Sequence, residues 1–169
     1  MLYRPRVGED SFVFRGPGLF AFPLRWSCDG RWLVARVSDP TGAFDLWILL
    51  MAGQGAPHPY QHSSAAETGA AISPDGRWLA YTATEDCKAA AYVQSFPEPG
   101  AKSQIAVEGP AGCLWSDRGD QLLVVNQKGE VFSVPVTTTS GFLRSARSRL
   151  FASNRRRTSS TSPRASSAF

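Results

Sequence analysis

The segment from Ala71 to Tyr81 reads Ala-Ile-Ser-Pro-Asp-Gly-Arg-Trp-Leu-Ala-Tyr, with apolar residues on both sides of a polar turn that begins at Ser73. Pro74 presets φ for the second position of a tight turn, and Gly76 adopts a positive φ at little cost. The carboxylate of Asp75 can fold back onto the nearby backbone. The segment therefore predicts a β-hairpin, in which this turn joins two strands.

Two further segments carry the same pattern. Leu24–Val34 keeps the serine, aspartate and glycine, with Cys28 in place of the proline, whereas Leu114–Leu123 keeps the serine and glycine and moves the aspartate to Asp117. The glycines of the three copies are 46 and 43 residues apart, close to the period of roughly 40–50 residues of a β-propeller blade. The residues kept in these two copies are Ser27, Asp29, Gly30, Ser116 and Gly119.

More strands follow each hairpin at a similar distance. Apolar stretches at 45–50, 91–96 and 130–136 predict a third strand in each repeat, and stretches near 57–62, 103–108 and 147–151 predict a fourth. Four antiparallel strands per repeat are typical of a propeller blade. The sequence therefore predicts an all-β fold, a partial β-propeller with about three four-stranded antiparallel blades in an open arc.

The repeat also predicts the organisation of the chain. We expect a remnant of a preceding blade in residues 1–21, with Ser11–Phe14 as its outer strand. Three blades follow in residues 22–66, 67–109 and 110–151. Residues 152–169 are rich in Ser and Arg and predict a disordered basic tail, which a shifted reading frame would also explain. Because three blades leave apolar faces and strand edges uncovered, we expect either further blades in a larger protein, which we favour, or a homodimer.

The central copy resembles the TolB-like, WD-type propeller repeat of bacteria. It is most similar to the propeller joined to the C-terminal side of many bacterial serine/threonine protein kinases. There, the same hairpin is followed by a Tyr-Val-x-x-Phe-Pro strand and a Pro-Gly turn, as in Tyr92–Pro97 and Pro99–Gly100 here. The resemblance covers residues 9–151 and implies an extracytoplasmic propeller, part of a larger protein, with no cofactor of its own.

Charge and composition limit the function classes. Seven Arg and no acidic residue lie in residues 143–169, so the rest of the chain, with 11 basic and 14 acidic residues, is mildly acidic. This balance argues against a nucleic-acid-binding face on the folded part. The longest apolar run, 46–52, is too short to cross a membrane, and residues 1–6 do not form a signal peptide. The three cysteines show no metal-binding spacing.

Several side chains are candidates for a site, each with a simpler structural role. Aspartates at the turns could line a cation site, but turn stabilisation explains them more simply. Arg31 and Arg77 could present positive charge to a partner, or lie over neighbouring aromatic rings. His58 and His62 have a metal-like spacing, yet Pro59 argues against the helix that would align them. The tryptophans are expected to form the core between blades; they are Trp26, Trp32, Trp47, Trp78 and Trp115.

No catalytic motif is present in the sequence. It lacks a Gly-x-Ser-x-Gly elbow, a phosphate-binding loop and the kinase signatures. We therefore expect a non-catalytic module that binds a protein or another ligand, the sensor or scaffold part of a larger bacterial protein such as a serine/threonine kinase. The alternatives are an accessory propeller of a prolyl-oligopeptidase-type peptidase and a TolB-type periplasmic protein. The expected partners are a protein or the remaining propeller blades, with no nucleic acid and no membrane.

Overall fold

The computed structural model describes residues 14–15, 17–18, 20–51, 55–60, 65–105 and 107–137, and the backbone of short strands at 143–144 and 148–151. Within these ranges the chain forms thirteen β-strands and no helix, and thus no helix that could span a membrane. The strands form three antiparallel sheets in chain order. The expected tail at 152–169 and most of the expected strand Ser11–Phe14 lie outside the described residues.

The first two sheets have four strands each, and each is a simple meander. In the first sheet, the strands are β1 (Ala21–Trp26), β2 (Trp32–Ser38), β3 (Phe44–Leu50) and β4 (His58–Pro59). In the second sheet, they are β5 (Ala66–Ile72), β6 (Trp78–Glu85), β7 (Lys88–Ser95) and β8 (Ser103–Ile105). The short fourth strands fall inside the segments where the sequence predicted them.

The third sheet repeats this order but ends differently. Its first three strands are β9 (Pro110–Trp115), β10 (Gln121–Asn126) and β11 (Val131–Thr137). Two short strands, β12 (Leu143–Arg144) and β13 (Ser148–Phe151), both pair with β11, at opposite ends of it. The fourth-strand position of this sheet is thus shared, and β13 lies in the predicted segment 147–151.

The three repeat glycines occupy the same place in the three sheets. Gly30, Gly76 and Gly119 each lie in the turn between the first and second strands, with φ of 70°, 71° and 71°. This left-handed conformation strains any residue with a Cβ atom, so glycine is strongly favoured here. The sequence repeat is therefore a structural repeat, and the fold is a partial β-propeller of three antiparallel sheets.

The sheets stack face to face, and the core lies between them. The cluster between the first two sheets includes Leu46, Ile48, Leu79 and Tyr81, all at most 1% exposed. A second cluster, between the second and third sheets, is built from smaller alanine and valine side chains around Trp115. A third cluster covers the far face of the first sheet, where Phe14 packs on Trp47. Burial of such apolar side chains contributes about 1.5–3 kcal/mol each.

Candidate binding surfaces

The Ser-Pro-Asp-Gly turn is held by a closed set of hydrogen bonds around Ser73. The Ser73 hydroxyl donates to Asp75 Oδ1 at 2.5 Å and accepts the Trp78 N–H at 3.0 Å. Asp75 Oδ1 also accepts the Arg77 N–H, and the Ser73 carbonyl accepts the Gly76 N–H. Each polar residue of the motif therefore satisfies backbone groups that the tight turn would otherwise leave unpaired.

The other two turns use the same scheme with one change. In the first, Ser27 donates to Asp29 at 2.5 Å and accepts the Trp32 N–H at 2.9 Å. In the third, Ser116 accepts the Gln121 N–H at 3.1 Å, but its carboxylate partner is Asp120, at 2.8 Å. We expected Asp117 to be the turn carboxylate of this copy, and that was wrong. Asp120 follows the glycine, and from there its side chain reaches the serine.

Hydrogen bonds lower the pKa of the turn carboxylates in the first two copies. For Asp29 the largest cause is the hydrogen bond from Ser27, followed by the Arg31 N–H. For Asp75 burial alone would raise the pKa, but hydrogen bonds from Ser73 and Arg77 together outweigh it and lower the pKa. Both groups are therefore ionised at neutral pH. Oδ1 of Asp29 and both carboxylate oxygens of Asp75 accept hydrogen bonds within their turns. This geometry supports a structural role for them.

Both candidate arginines lie on the turn surface, with exposed side chains. The Arg77 Nε lies 2.8 Å from Asp75 Oδ2, so its guanidinium is paired within its own turn while its side chain remains 60% exposed. We expected these arginines to lie over the neighbouring tryptophans or to face a partner; for Arg77 the contact shown is with Asp75. A surface ion pair of this kind contributes about 0–1 kcal/mol.

The opposite end of the sheets carries a second set of turns, between the second and third strands. In the first and third sheets, Asp39 and Asn126 each accept two backbone N–H bonds through one side-chain oxygen. In the second sheet the turn is shorter, with Asp86 and Cys87 at φ of 47° and 63°. The spacing Asp-x-x-Gly and Asn-x-x-Gly resembles Ser-x-x-Gly of the first turns, a signal that the sequence prediction missed.

An exposed aromatic patch lies at this same end. Phe20, Phe22 and Phe44 follow one another at ring centroid distances of 6.2 Å and 6.3 Å. The Arg36 guanidinium lies 5.0 Å from the Phe22 ring centroid and 4.5 Å from that of Phe44. Phe20 is 55% exposed and Phe22 is 42% exposed. We call these four residues the aromatic patch. The sequence prediction missed it, although Phe20, directly before β1, and Phe22, within β1, are two residues apart.

Two cavities open at this end of the molecule. One, with a volume of about 570 Å³, adjoins the aromatic patch and is lined by Phe20, Ser38 and the Asp39 turn. The other, of about 650 Å³, lies between the second and third sheets. Glu85, Lys88 and Glu108 bring both signs of charge to its wall. The cavities therefore lie on the side away from the Ser-x-x-Gly turns, which had held the sequence-based candidates.

The tryptophans do not all belong to the core. Trp115 is only 5% exposed and joins the cluster between the second and third sheets, and Trp32, Trp47 and Trp78 are half-buried. Trp26, however, is 51% exposed, so its predicted place in the core was wrong. It lies at the end of β1, the first strand of the first sheet, and no other sheet of the described residues lies against that face.

The remaining candidates show no clustering. His58 is exposed and its Nδ1 lies 3.1 Å from the Ala56 carbonyl, while His62 lies outside the described residues. Among the residues that the structure describes, no three of the types His, Cys, Asp and Glu gather as a metal site. Cys28 and Cys87 are exposed, and none of the three cysteines is in a disulfide.

Comparisons with known proteins support the fold. No family model and no curated protein matches the sequence. Among solved structures, a putative TolB from Agrobacterium tumefaciens matches with a TM-score of 0.60 and 19% identity, over 76% of this chain and 45% of that chain. TolB from Acinetobacter baumannii matches with a TM-score of 0.59 and 14% identity, over 76% of this chain and 31% of that chain.

The third match is the β-propeller domain of the Trilobed protease from Pyrococcus furiosus. Its TM-score is 0.53 at 16% identity, over 78% of this chain and 43% of that chain. The chain thus spans less than half the length of each of these structures. Such low identities bear on the fold alone: the chain has a propeller fold like that of TolB, as its repeat predicted.

Proposed function

We propose that this chain is a non-catalytic propeller module that recognises a protein. In this proposal, residues 22–66, 67–109 and 110–151 are its three blades. The Ser-x-x-Gly turns have a structural role in this proposal, because the serine of each turn is hydrogen-bonded to an aspartate and to a backbone N–H of the same turn. The proposed recognition surface is therefore at the opposite end, around the aromatic patch. The predicted binding role of Arg31 and Arg77 is secondary in this scheme.

The aromatic patch carries the proposal. Aromatic residues and arginine are enriched at the centres of protein interfaces, where each can contribute several kcal/mol of binding. Here an arginine lies between two phenylalanine rings, and Phe20 and Phe22 remain about half exposed. Burying these rings under a partner would remove apolar area from water without further ordering of the side chains. The adjoining cavity of about 570 Å³ could accept a side chain of the partner.

The full protein would determine which partner is recognised. From the resemblance, we propose that the chain is the sensor or scaffold part of a larger, extracytoplasmic bacterial protein, such as the propeller of a serine/threonine kinase. A propeller attached to a peptidase is the alternative, and the match to the Trilobed protease propeller favours it. A kinase encoded upstream in the same reading frame would support the first, and a hydrolase with a Gly-x-Ser-x-Gly motif downstream would support the second.

A peptide library displayed on phage tests the recognition surface directly. Selection against the immobilised chain should enrich peptides with a shared sequence, because a preformed patch favours one kind of complement. Phe22→Ala should weaken binding of the enriched peptides at least about tenfold, as expected for a residue at an interface centre. Since Phe22 is 42% exposed, the variant should keep the fold.

Arg77→Ala is the matched control, because Arg77 is also exposed but lies at the other end of the molecule. Peptide affinity should stay within about twofold for this variant, as for surface changes outside an interface. Enriched peptides that bind the Phe22→Ala variant as well as the unaltered chain would contradict the proposal. So would peptides whose binding depends on Arg77.

A further inference from the structure

Strand pairing places the aromatic patch on the side of the first sheet that is turned toward the second sheet. Phe22 lies opposite Arg36, and Arg36 lies opposite Leu46, so these three side chains are on the same face of the first sheet. Phe44 is on that face as well, because it lies two residues before Leu46 on β3. Leu46 belongs to the apolar cluster between the first two sheets. The patch therefore does not lie on the outward face of the first sheet.

Aromatic rings, and no carboxylate of the described residues, surround the Arg36 guanidinium. It lies 5.0 Å from the centroid of the Phe22 ring and 4.5 Å from that of Phe44. The Arg36 Nε is buried and has no hydrogen-bond partner. In the described part of the chain, the cations that form ion pairs are Arg77, Lys102 and Lys128. Arg36 is thus a half-buried cation that lacks an acidic partner there.

A guanidinium in this setting favours a carboxylate as its ligand. Arginine donates in a fixed fork to both oxygens of a carboxylate, a geometry that a neutral acceptor does not match. The neighbouring rings exclude water from one side of Arg36, which strengthens a charged hydrogen bond formed beside them. Because the rings already restrict the side chain, Arg36 loses little further freedom when a ligand binds. A basic group placed at Arg36 would instead be repelled.

Given the function proposed above, on which this inference rests, we propose that the aromatic patch selects a protein segment with an aspartate or glutamate beside apolar side chains. The carboxylate of the segment pairs with the Arg36 guanidinium. The apolar side chains beside it cover Phe20 and Phe22, which are 55% and 42% exposed. Exposed rings alone would accept many apolar segments, so Arg36 supplies the specificity.

An acidic side chain in the wall of the adjoining cavity restricts the orientation of the segment. Asp39 Oδ1 accepts hydrogen bonds from the Thr41 hydroxyl, the Thr41 N–H and the Ala43 N–H. These bonds, that of the Thr41 hydroxyl above all, lower the pKa of Asp39, so it is ionised at neutral pH. A second carboxylate would be repelled there. The carboxylate of the segment therefore lies beside Phe22 and Phe44, and the cavity accepts an uncharged side chain.

Synthetic peptides test this specificity. The peptides enriched in the phage selection should share an acidic residue. Replacing it with the matching amide, glutamine or asparagine, should weaken binding to the unaltered chain at least about tenfold, as for the loss of a charged hydrogen bond. The Arg36→Gln variant should bind the acidic peptide and its amide form within about twofold of each other, because the cation that distinguishes them is gone. Isothermal titration calorimetry measures all four affinities.

Arg31→Gln is the matched control, because Arg31 is an exposed arginine at the other end of the first sheet. It should leave the difference between the acidic and amide peptides unchanged. Arg36→Lys keeps the charge but not the fork, so it should retain only part of that difference. Circular dichroism checks the fold of each variant. The comparison of the two peptides on the unaltered chain does not depend on the stability of any variant.

The outcomes separate this specificity from the proposed function. Enriched peptides that require Phe22 but share no acidic residue would overturn the role of Arg36 and leave the recognition surface standing. An amide peptide that binds as tightly as its acidic form would do the same, as would a difference between them that persists in Arg36→Gln. Peptides that bind equally well to Phe22→Ala, or a selection that enriches no peptide, would overturn both.

Discussion

Replacing Ser73 with alanine should cost more stability than the same change in the third turn. The Ser73 side chain is 2% exposed, and its hydroxyl makes two hydrogen bonds, to Asp75 and from the Trp78 N–H. Each bond is worth about 1 kcal/mol, and the partly buried Trp78 N–H, once it loses its serine acceptor, adds about 1 kcal/mol more. We therefore expect Ser73→Ala to lower the free energy of unfolding by about 2–3 kcal/mol.

Ser116 provides the control, since it makes the equivalent two bonds with a half-buried side chain. Water can replace the lost partner there, so Ser116→Ala should cost about 0.5–1 kcal/mol. Urea unfolding followed by tryptophan fluorescence measures both values, provided that the dependence on urea concentration is unchanged. The melting temperature should fall by about 4–12 °C for Ser73→Ala.

Equal losses for the two variants would refute this reasoning, because burial would then not determine the cost. A loss below about 0.5 kcal/mol for Ser73→Ala would refute it differently, since that is the size of a neutral surface change. In that case the serine oxygen would not hold the turn, and backbone hydrogen bonds together with the glycine conformation would be sufficient.

Further predictions concern stability at low pH, the loss of the buried Glu67 side chain and the reactivity of the three cysteine thiols. The pKa of Asp75 is lowered in the folded state. Its contribution to the free energy of unfolding is therefore complete above its unfolded pKa of about 4, and it is lost as the pH falls through its lower folded pKa. The urea concentration at the midpoint of unfolding should therefore decrease as the pH is lowered below about 4. In the Asp75→Asn variant this decrease should be less steep. Glu67 is fully buried and accepts the Leu46 N–H at 3.0 Å; Glu67→Ala should cost about 2–4 kcal/mol in urea unfolding and Glu67→Gln clearly less, since the amide keeps an acceptor. Burial raises the pKa of the Cys113 thiol to about 12, and its side chain is half-buried whereas Cys28 and Cys87 are exposed. A thiol reagent should therefore label Cys28 and Cys87 quickly and Cys113 much more slowly.

Local sequence was sufficient to predict the repeating unit. A serine, a turn and a glycine with apolar residues on both sides specify a hairpin through interactions within six residues, as the bonds around Ser73 illustrate. The forty-odd-residue period then fixed the number of sheets. The sequence did not predict that Asp120, rather than Asp117, pairs with Ser116, because an aspartate on either side of the glycine could reach the same serine.

Contacts between sheets could not be read from the sequence. Trp26 and Trp115 have the same sequence position in their repeats, yet one is exposed and the other buried, because burial depends on which sheet lies alongside. The aromatic patch likewise required the tertiary structure, since Arg36 and Phe44 meet Phe22 only when three strands lie side by side. The sequence by itself thus determined the repeated hairpin, through local backbone geometry, and the number of sheets, through the spacing of the repeats. Only the stacking of the sheets decided which apolar side chains are covered and which remain open to a partner.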